Sequence, residues 1–225
     1  MLPRLEIEHP KSLSAIVEER LRNAIINAEL SFGQALPEDG TGFALGVSRT
    51  PMREALTRLE AQGLVVIVPK KGTFVFKPSL EDVQQLASFR LMLETNALEQ
   101  CLTSNPAAAL RDMGKAIADM TAARGEKNSQ AYARADTAFH DSFFSNCGNV
   151  YLVNAFRTVS GRIAALRAHL SVPRSHEQDT SFAEHQAIVA AFKTGKKTEL
   201  RRILTDHILR AQAVYALAVE ENAKR

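Results

Sequence analysis

Apolar positions recur at helical spacing along most of the chain, but between Gly46 and Val75 the period changes from helix to strand within a few residues. Met52, Ala55, Leu56 and Leu59 fall at i, i+3, i+4 and i+7, which predicts one buried stripe on a helix over Ser48–Gln62. Thr50, Arg53 and Thr57 then lie on roughly the opposite side. Ser48 is a natural N-cap, and Pro51 sits in the first turn, where a missing N–H is tolerated. Gly63 ends the helix. Two β-branched runs follow, Leu64–Val68 and Thr73–Phe76, joined by Pro69-Lys70-Lys71-Gly72. That pattern predicts a hairpin with two positive charges at its tip.

The same periodicity predicts a first helix over Ser12–Glu29, with Leu13, Val17, Leu21, Ala24 and Ala28 as its inner stripe. A short helix over Glu38–Leu45 should follow, frayed or short because Gly40 and Gly42 lie within it; glycine costs about 1 kcal/mol per helical position relative to alanine. The chain divides near Lys77-Pro78-Ser79. Beyond that point no strand is persuasive. Ser79 and Asp82 resemble a capping box opening a helix to about Thr103. Further helices are expected near Pro106–Ala123, Ser129–Ser145, Val150–Leu170, Gln178–Thr194 and Lys197–Glu221. The expected fold class is therefore mainly α: a helical head with a β-wing over residues 1–78 and an all-α helical bundle over 79–225.

Composition changes this picture little. At 225 residues the chain is long enough for a substantial core. Without tryptophan, and with 6% aromatic residues, that core must be largely aliphatic. Charge matters locally. From Ser48 to Lys77 six basic side chains (Arg49, Arg53, Arg58, Lys70, Lys71, Lys77) face two acidic ones, Glu54 and Glu60, although the whole chain carries a net charge of only +3. The surplus sits where a phosphate backbone would lie along helix and wing. Cys101 and Cys147 form no CxxC pair, and the start is not signal-like, so a cytoplasmic location is expected. No apolar run approaches the roughly 20 residues of a membrane span.

These residues resemble a known family. Gly46 through Leu56, then Leu59-Glu60, Gly63-Leu64 and Gly72–Val75, are similar to the winged helix-turn-helix of GntR-type transcription regulators. The second half resembles their FadR-like FCD-type effector domain through Arg90 with Glu94, Asp136 followed by Phe139-His140, Gly148-Asn149, Glu184-His185 and His207. One departure is local: Thr41 and Gly42 stand where relatives carry a Leu-Ala pair, and a basic residue found in some relatives near Asp39 is missing. The resemblance implies a homodimer on double-stranded operator DNA. Arg49 and Arg53 would reach base edges or phosphates, with Ser48 and Thr50 on backbone oxygens and Lys71 with Gly72 in the minor groove. Arginine can engage guanine bidentately, and a helix N-terminus favours phosphate. The plain alternative is that Arg53 and Arg58 are solvated charges paired with Glu54 or Glu60.

Asp136 and His140, at i and i+4, share one helix face. His185 and His207 lie on two helices joined by a turn near Gly195, ten residues before it and twelve after it. In an antiparallel hairpin they arrive at similar height. If the hairpin packs on the Asp136 helix, three imidazoles and a carboxylate converge, a set suited to a divalent transition metal, zinc first, with nickel, iron or manganese as alternatives. His9, His169 and His176 read as surface or linker residues. Arg90, in the family's Arg-x-x-x-Glu position, is expected to grip the carboxylate of a small organic acid effector; the alternative is a local ion pair with Glu94. Arg157, Arg162 and Arg167 read as a solvated face or subunit contact. The rival function is a metal-dependent hydrolase on the same Asp136, His140, His185 and His207 ion. Glu184 is expected to face away from such a site, and no HExxH, GxSxG or P-loop is present. The chain is therefore read as a regulator and not an enzyme.

Overall fold

The computed structural model describes residues 11–171 and 175–223. Packing divides the chain into two compact units: Leu30–Phe76 with the stretch ending at Ile25, and Lys77 onward with Ile26–Glu29.

The smaller unit runs α1 (Leu13–Ile26), α2 (Glu38–Leu45), α3 (Arg49–Ala61), β1 (Val65–Val68) and β2 (Gly72–Val75). Met52, Ala55, Leu56 and Leu59 of α3 are buried, as their spacing requires, and Val17, Leu21 and Ala24 join them from α1. The α1 stripe departs from expectation at both ends. Leu13 is half exposed, and Ala28 lies beyond the helix with φ of 59°, so Ile25 and Ser14 take the inward positions instead. The helix stops early because a left-handed residue cannot continue it. Between α2 and α3 the chain turns at Gly46, in the left-handed region at φ 68°, with its N–H bonded back to Phe43. A side chain at Gly42 would come within 3.1 Å of the Val47 carbonyl, so the glycine lets the turn close tightly. The strands pair antiparallel from Val65↔Val75 to Val68↔Gly72, and Ala35 adds a bridge to Phe74.

The larger unit contains α4 (Leu80–Ser104), α5 (Pro106–Gly125), α6 (Ser129–Asn146), α7 (Val150–Arg157), α8 (Ser160–Leu166), a π-helical turn (Arg167–Ser171), α9 (Ser175–Thr194) and α10 (Lys197–Ala223). Ser79 and Asp82 form a reciprocal capping box at the start of α4. Asn149 caps α7 through its side-chain oxygen. Helix α4 packs against α6 and α10, α5 against α6, and α9 against α10. The core is aliphatic with a phenylalanine centre: Phe139 and Phe143 are fully buried beside Leu98, Met113 and Met120.

One expected helix is divided. Val150–Leu170 breaks at Thr158-Val159 and ends in the π turn. Two adjacent β-branched residues weaken the helix there, and the Thr158 hydroxyl donates to the Ala155 carbonyl at 2.7 Å. Among the described residues seven α-helices thus stand where six were expected.

Both cysteines are buried, and burial pushes the Cys101 thiol up to about 12 while it donates to the Phe143 carbonyl. Thiol titration should find neither cysteine reactive in the native protein and both reactive in denaturant. Rapid native labelling of Cys101 would contradict this packing.

Candidate nucleic-acid interface and metal centre

The reading face of α3 is exposed. Ser48, Arg49, Thr50 and Arg53 all reach solvent, Lys70 and Lys71 stand at the wing tip, and Gly72 adopts φ of 110° beside them. Ser48 occupies the N-cap position but accepts no side-chain hydrogen bond, which leaves N–H groups at the α3 terminus open to an anion. The arginines have acidic partners from α2. Arg49 grips Asp39 bidentately, with Nη2 2.7 Å from Oδ2, and Arg53 Nε donates to Glu38 at 2.6 Å. Arg58 pairs with Glu18 and, at 4.0 Å, with Glu54. Glu60 accepts from the Ile67 backbone and so ties the helix to the wing. Asp39 and Glu38 also lie in the first turn of α2, where negative charge suits the helix dipole. Lys70 and Lys71 form no ion pair among the described residues, so the wing tip is the part of this face ready for phosphate.

In the larger unit His140, His185 and His207 come together. One ring nitrogen of each lies within 4.8 Å of the others, and all three side chains are buried. The hairpin of α9 and α10, turning at Gly195 with φ 68°, sets His185 beside His207 with ring centres 4.7 Å apart. His140 Nε2 is 3.3 Å from Nε2 of both other histidines. Phe139 packs at 4.3 Å against the His185 ring and closes the apolar side.

The tautomers follow from the outer layer. His140 Nδ1 lies 2.8 Å from Glu94 Oε2, and His207 Nδ1 lies 2.7 Å from Glu184 Oε2. Carboxylates only accept, so each Nδ1 carries the proton and each Nε2 is left as an acceptor, that of His140 taking a bond from Arg90 Nη2 at 2.9 Å. Burial holds all three imidazoles neutral: His185 falls to about 3, and His140 and His207 also fall, chiefly by desolvation. Two lone pairs therefore face each other across 3.3 Å. This is a repulsive contact unless a cation lies between them. Zinc–nitrogen bonds of about 2.0–2.1 Å put the nitrogens of a tetrahedral site ~3.3 Å apart, so the residues present fit a zinc-like ion.

Asp136 stands beside this group, 3.8 Å from His140 Nε2 and 3.9 Å from His185 Nε2. It is not free, because Arg167 Nε forms an ion pair with its Oδ1. Burial raises the Asp136 carboxyl, but the Arg167 guanidinium outweighs that and holds it well below the usual range. Arg90 is 3% exposed. Its Nε donates to Glu94 at 2.6 Å and its Nη2 to His140 Nε2 at 2.9 Å, so the local pair with Glu94 and a position on the histidine cluster coexist.

Two expectations fail here. Arg167 was read as a solvated or subunit-contact residue, yet it is buried and pairs with Asp136; the π turn rotates it away from the line of Arg157 and Arg162. Glu184 was expected to face away, yet it holds His207 and is itself gripped by Arg210 at 2.7 and 2.8 Å. Burial raises its carboxyl, but those bonds bring it down to about 2. His176 is exposed and His169 half-buried, both outside the cluster, and His9 lies outside the described residues.

A helix-turn-helix with a basic wing, followed by a helical bundle, defines a DNA-binding transcription regulator. Residues 13–75 match the gntR family of bacterial regulatory proteins, and residues 85–210 match the FCD domain. The chain belongs to the GntR family of regulators and carries an FCD domain. It is 28% identical over 203 residues to an HTH-type transcriptional regulator in an unstable DNA locus of Streptomyces ambofaciens, covering 83% of this chain and 81% of that one. It is 22% identical over 182 residues to the gluconate operon transcriptional repressor of Bacillus subtilis, covering 79% and 74%. In fold it is similar to a GntR transcriptional regulator from Rhodococcus sp. RHA1, with TM-score 0.80 and 24% identity over 90% of this chain and 96% of that one. These relatives are regulators, not enzymes, and they lend the hydrolase alternative no support.

Replacing Arg167 by leucine should strand the Asp136 charge in the interior. Breaking a buried pair costs about 3–5 kcal/mol, so the melting temperature of the apo protein should fall sharply. Arg157→Leu, on the exposed surface, should change it little. Equal effects of the two would remove Arg167 from the buried network.

Proposed function

We propose that the chain is a cytoplasmic, homodimeric, metabolite-responsive regulator, most simply a repressor, whose operator binding is modulated by a small carboxylate effector. Residues 1–78 would be the DNA-binding domain and residues 79–225 the sensing and dimerisation domain. His140, His185 and His207, with Asp136 completing the set, would hold a divalent transition metal, zinc first. When bound, that ion supplies a Lewis-acid grip on an effector oxygen. Arg90 adds a guanidinium beside it. The observation that carries this reading is the pair of opposed lone pairs within reach of a buried arginine, since together they make a cation site and a carboxylate grip side by side.

Family membership supports the DNA-binding half. Ser48, Arg49, Thr50, Arg53, Lys71 and Gly72 form its contact set, on an exposed face whose wing lysines have no ion pair among the described residues. One recognition helix reads few base pairs, which favours a two-fold dimer on a near-palindromic site. Effector binding shifts the population of bundle conformations and so the spacing of the two recognition helices. A coupling of about 1–3 kcal/mol changes operator occupancy usefully. Among the described residues no helix is long and apolar enough to cross a membrane.

Two measurements test the reading. Elemental analysis of the purified chain should find about one zinc-like ion per protomer, lost in His185→Ala; full retention in that variant removes the histidine set. On duplexes selected from a random pool, Arg53→Ala should weaken binding at least about ten-fold at fixed salt, while Asp39→Asn should tighten it by releasing Arg49. Unchanged affinity in both would place the reading surface elsewhere.

A further inference from the structure

Helix α2 contributes nothing to the contact set, yet its sequence is unusual: two glycines, Gly40 and Gly42, stand around a single aromatic residue, Phe43. Phe43 is 89% exposed, the most exposed large hydrophobic side chain among the described residues, and it packs on no other ring there. A lone exposed apolar residue is ordinary on a protein surface; this one is set apart by its position. Its carbonyl accepts from the Gly46 N–H at 3.1 Å. Phe43 therefore stands in the last turn of α2, directly before the left-handed turn that leads to Ser48 and the start of α3. Asp39 lies four residues earlier on the same helix face and grips Arg49. The ring thus extends the exposed edge of α2 that borders the arginines, one turn nearer to the beginning of α3. Gly40 and Gly46 carry no side chain to screen it, and a Cβ at Gly46 would meet nothing within 4 Å.

What this edge can bind follows from what it lacks. No lysine or arginine occurs between Glu38 and Val47, and Asp39 is negative, so a phosphate finds no cation on α2. A phenyl ring gains only from apolar surface. On base edges the major groove offers one such group, the C5 methyl of thymine, and phenylalanine is among the side chains that contact it. We infer that Phe43 is a sequence-reading residue, its ring packed on the methyl of one thymine in each half-site, beside the bases proposed for Arg49 and Arg53. This rests on the reading of the exposed α3 face as the DNA contact surface. Such a contact distinguishes thymine from cytosine, which lacks the methyl. It releases no counterions, so its share of the affinity is independent of salt.

The test uses the full-length chain and a duplex selected from a random pool, with each thymine replaced in turn by deoxyuridine, which removes only the methyl. Affinity of the unmodified chain should fall about four-fold at one thymine per half-site, the worth of one buried methyl group. Phe43→Ala should bind the parent duplex more weakly by at least that factor, by the same ratio at low and high salt, and show no further loss at that thymine. Phe43→Leu should keep part of the sensitivity. The melting temperature of both variants should stay unchanged, because the ring makes no packing contact to lose. A flat deoxyuridine scan overturns the assignment, and so does a penalty that persists undiminished in Phe43→Ala, which would give the methyl to another residue such as Thr50. A loss of affinity in Phe43→Ala without any sensitive thymine also overturns it, placing the ring on a sugar. In each of these cases the α3 contact set still stands if Arg53→Ala weakens binding. Failure of the chain to enrich any duplex overturns both.

Discussion

Three desolvated imidazoles meeting nitrogen to nitrogen is the constraint around which the larger unit is organised. A buried neutral histidine normally places its free nitrogen against a donor. Here Glu94 and Glu184 accept hydrogen bonds from Nδ1–H of His140 and His207, which turns both Nε2 lone pairs toward one another at 3.3 Å. Arg90 relieves this in part by donating to His140 Nε2. The arrangement is therefore biased in favour of a positive group at its centre before any ion arrives. Its outer hydrogen bonds also fix ring orientation, which is what second-layer carboxylates do around bound metals.

Charge balance makes this tolerable in an interior. Each acid around the cluster has its own arginine: buried Glu94 has Arg90, buried Asp136 has Arg167 and half-buried Glu184 has Arg210. The arginines offset the pull of these carboxylates on the imidazole protons, and burial keeps the rings neutral. An arginine retains its charge in any accessible environment, so the partners cannot neutralise themselves by proton loss. Removing one would leave its carboxylate to be desolvated alone. The same logic explains why Arg90 is so deeply placed. Its cation is compensated by Glu94, which leaves Nη2 free to donate to His140.

Much of this was legible in the sequence, and the reasons are specific. The α3 stripe and the wing follow from a change of period, which a single sequence displays directly. Asp136 and His140 share a face because four residues make about one helical turn. His185 and His207 arrive at one height because the Gly195 turn lies nearly midway between them. What failed depended on local rotation. The break at Thr158 and the π turn shift the phase of the following residues, so Arg167 leaves the face that a continuous helix would give it. Glu184 escaped for a different reason: it approaches from the outer side, through His207, and touches the cluster at one remove. Its partner lies on another helix, and no spacing rule connects them. The α2 acids opposite Arg49 and Arg53 were visible as letters, but their pairing depends on how tightly the glycine turn at Gly46 folds α2 onto α3.

That tight turn sets the character of the reading head. Glu38 and Asp39 complement the dipole of an eight-residue helix that carries two glycines, so they help hold a marginal element in place. They also hold the two exposed arginines of α3 in defined positions, which lowers the entropy those side chains lose on meeting a duplex. Against this, the same carboxylates compete with phosphate and with the acceptor edges of guanine. The two effects pull affinity in opposite directions but specificity in one. A phosphate offers any approaching arginine a charge wherever it lies, whereas a base edge rewards only one that arrives correctly aimed. An arginine already satisfied by a carboxylate gains little from a loose phosphate contact and more from a bidentate base contact. On the proposed reading, with the wing lysines left to supply the sequence-independent attraction, the head would divide its labour: Lys70 and Lys71 would find the duplex, and the clamped arginines of α3 would discriminate along it.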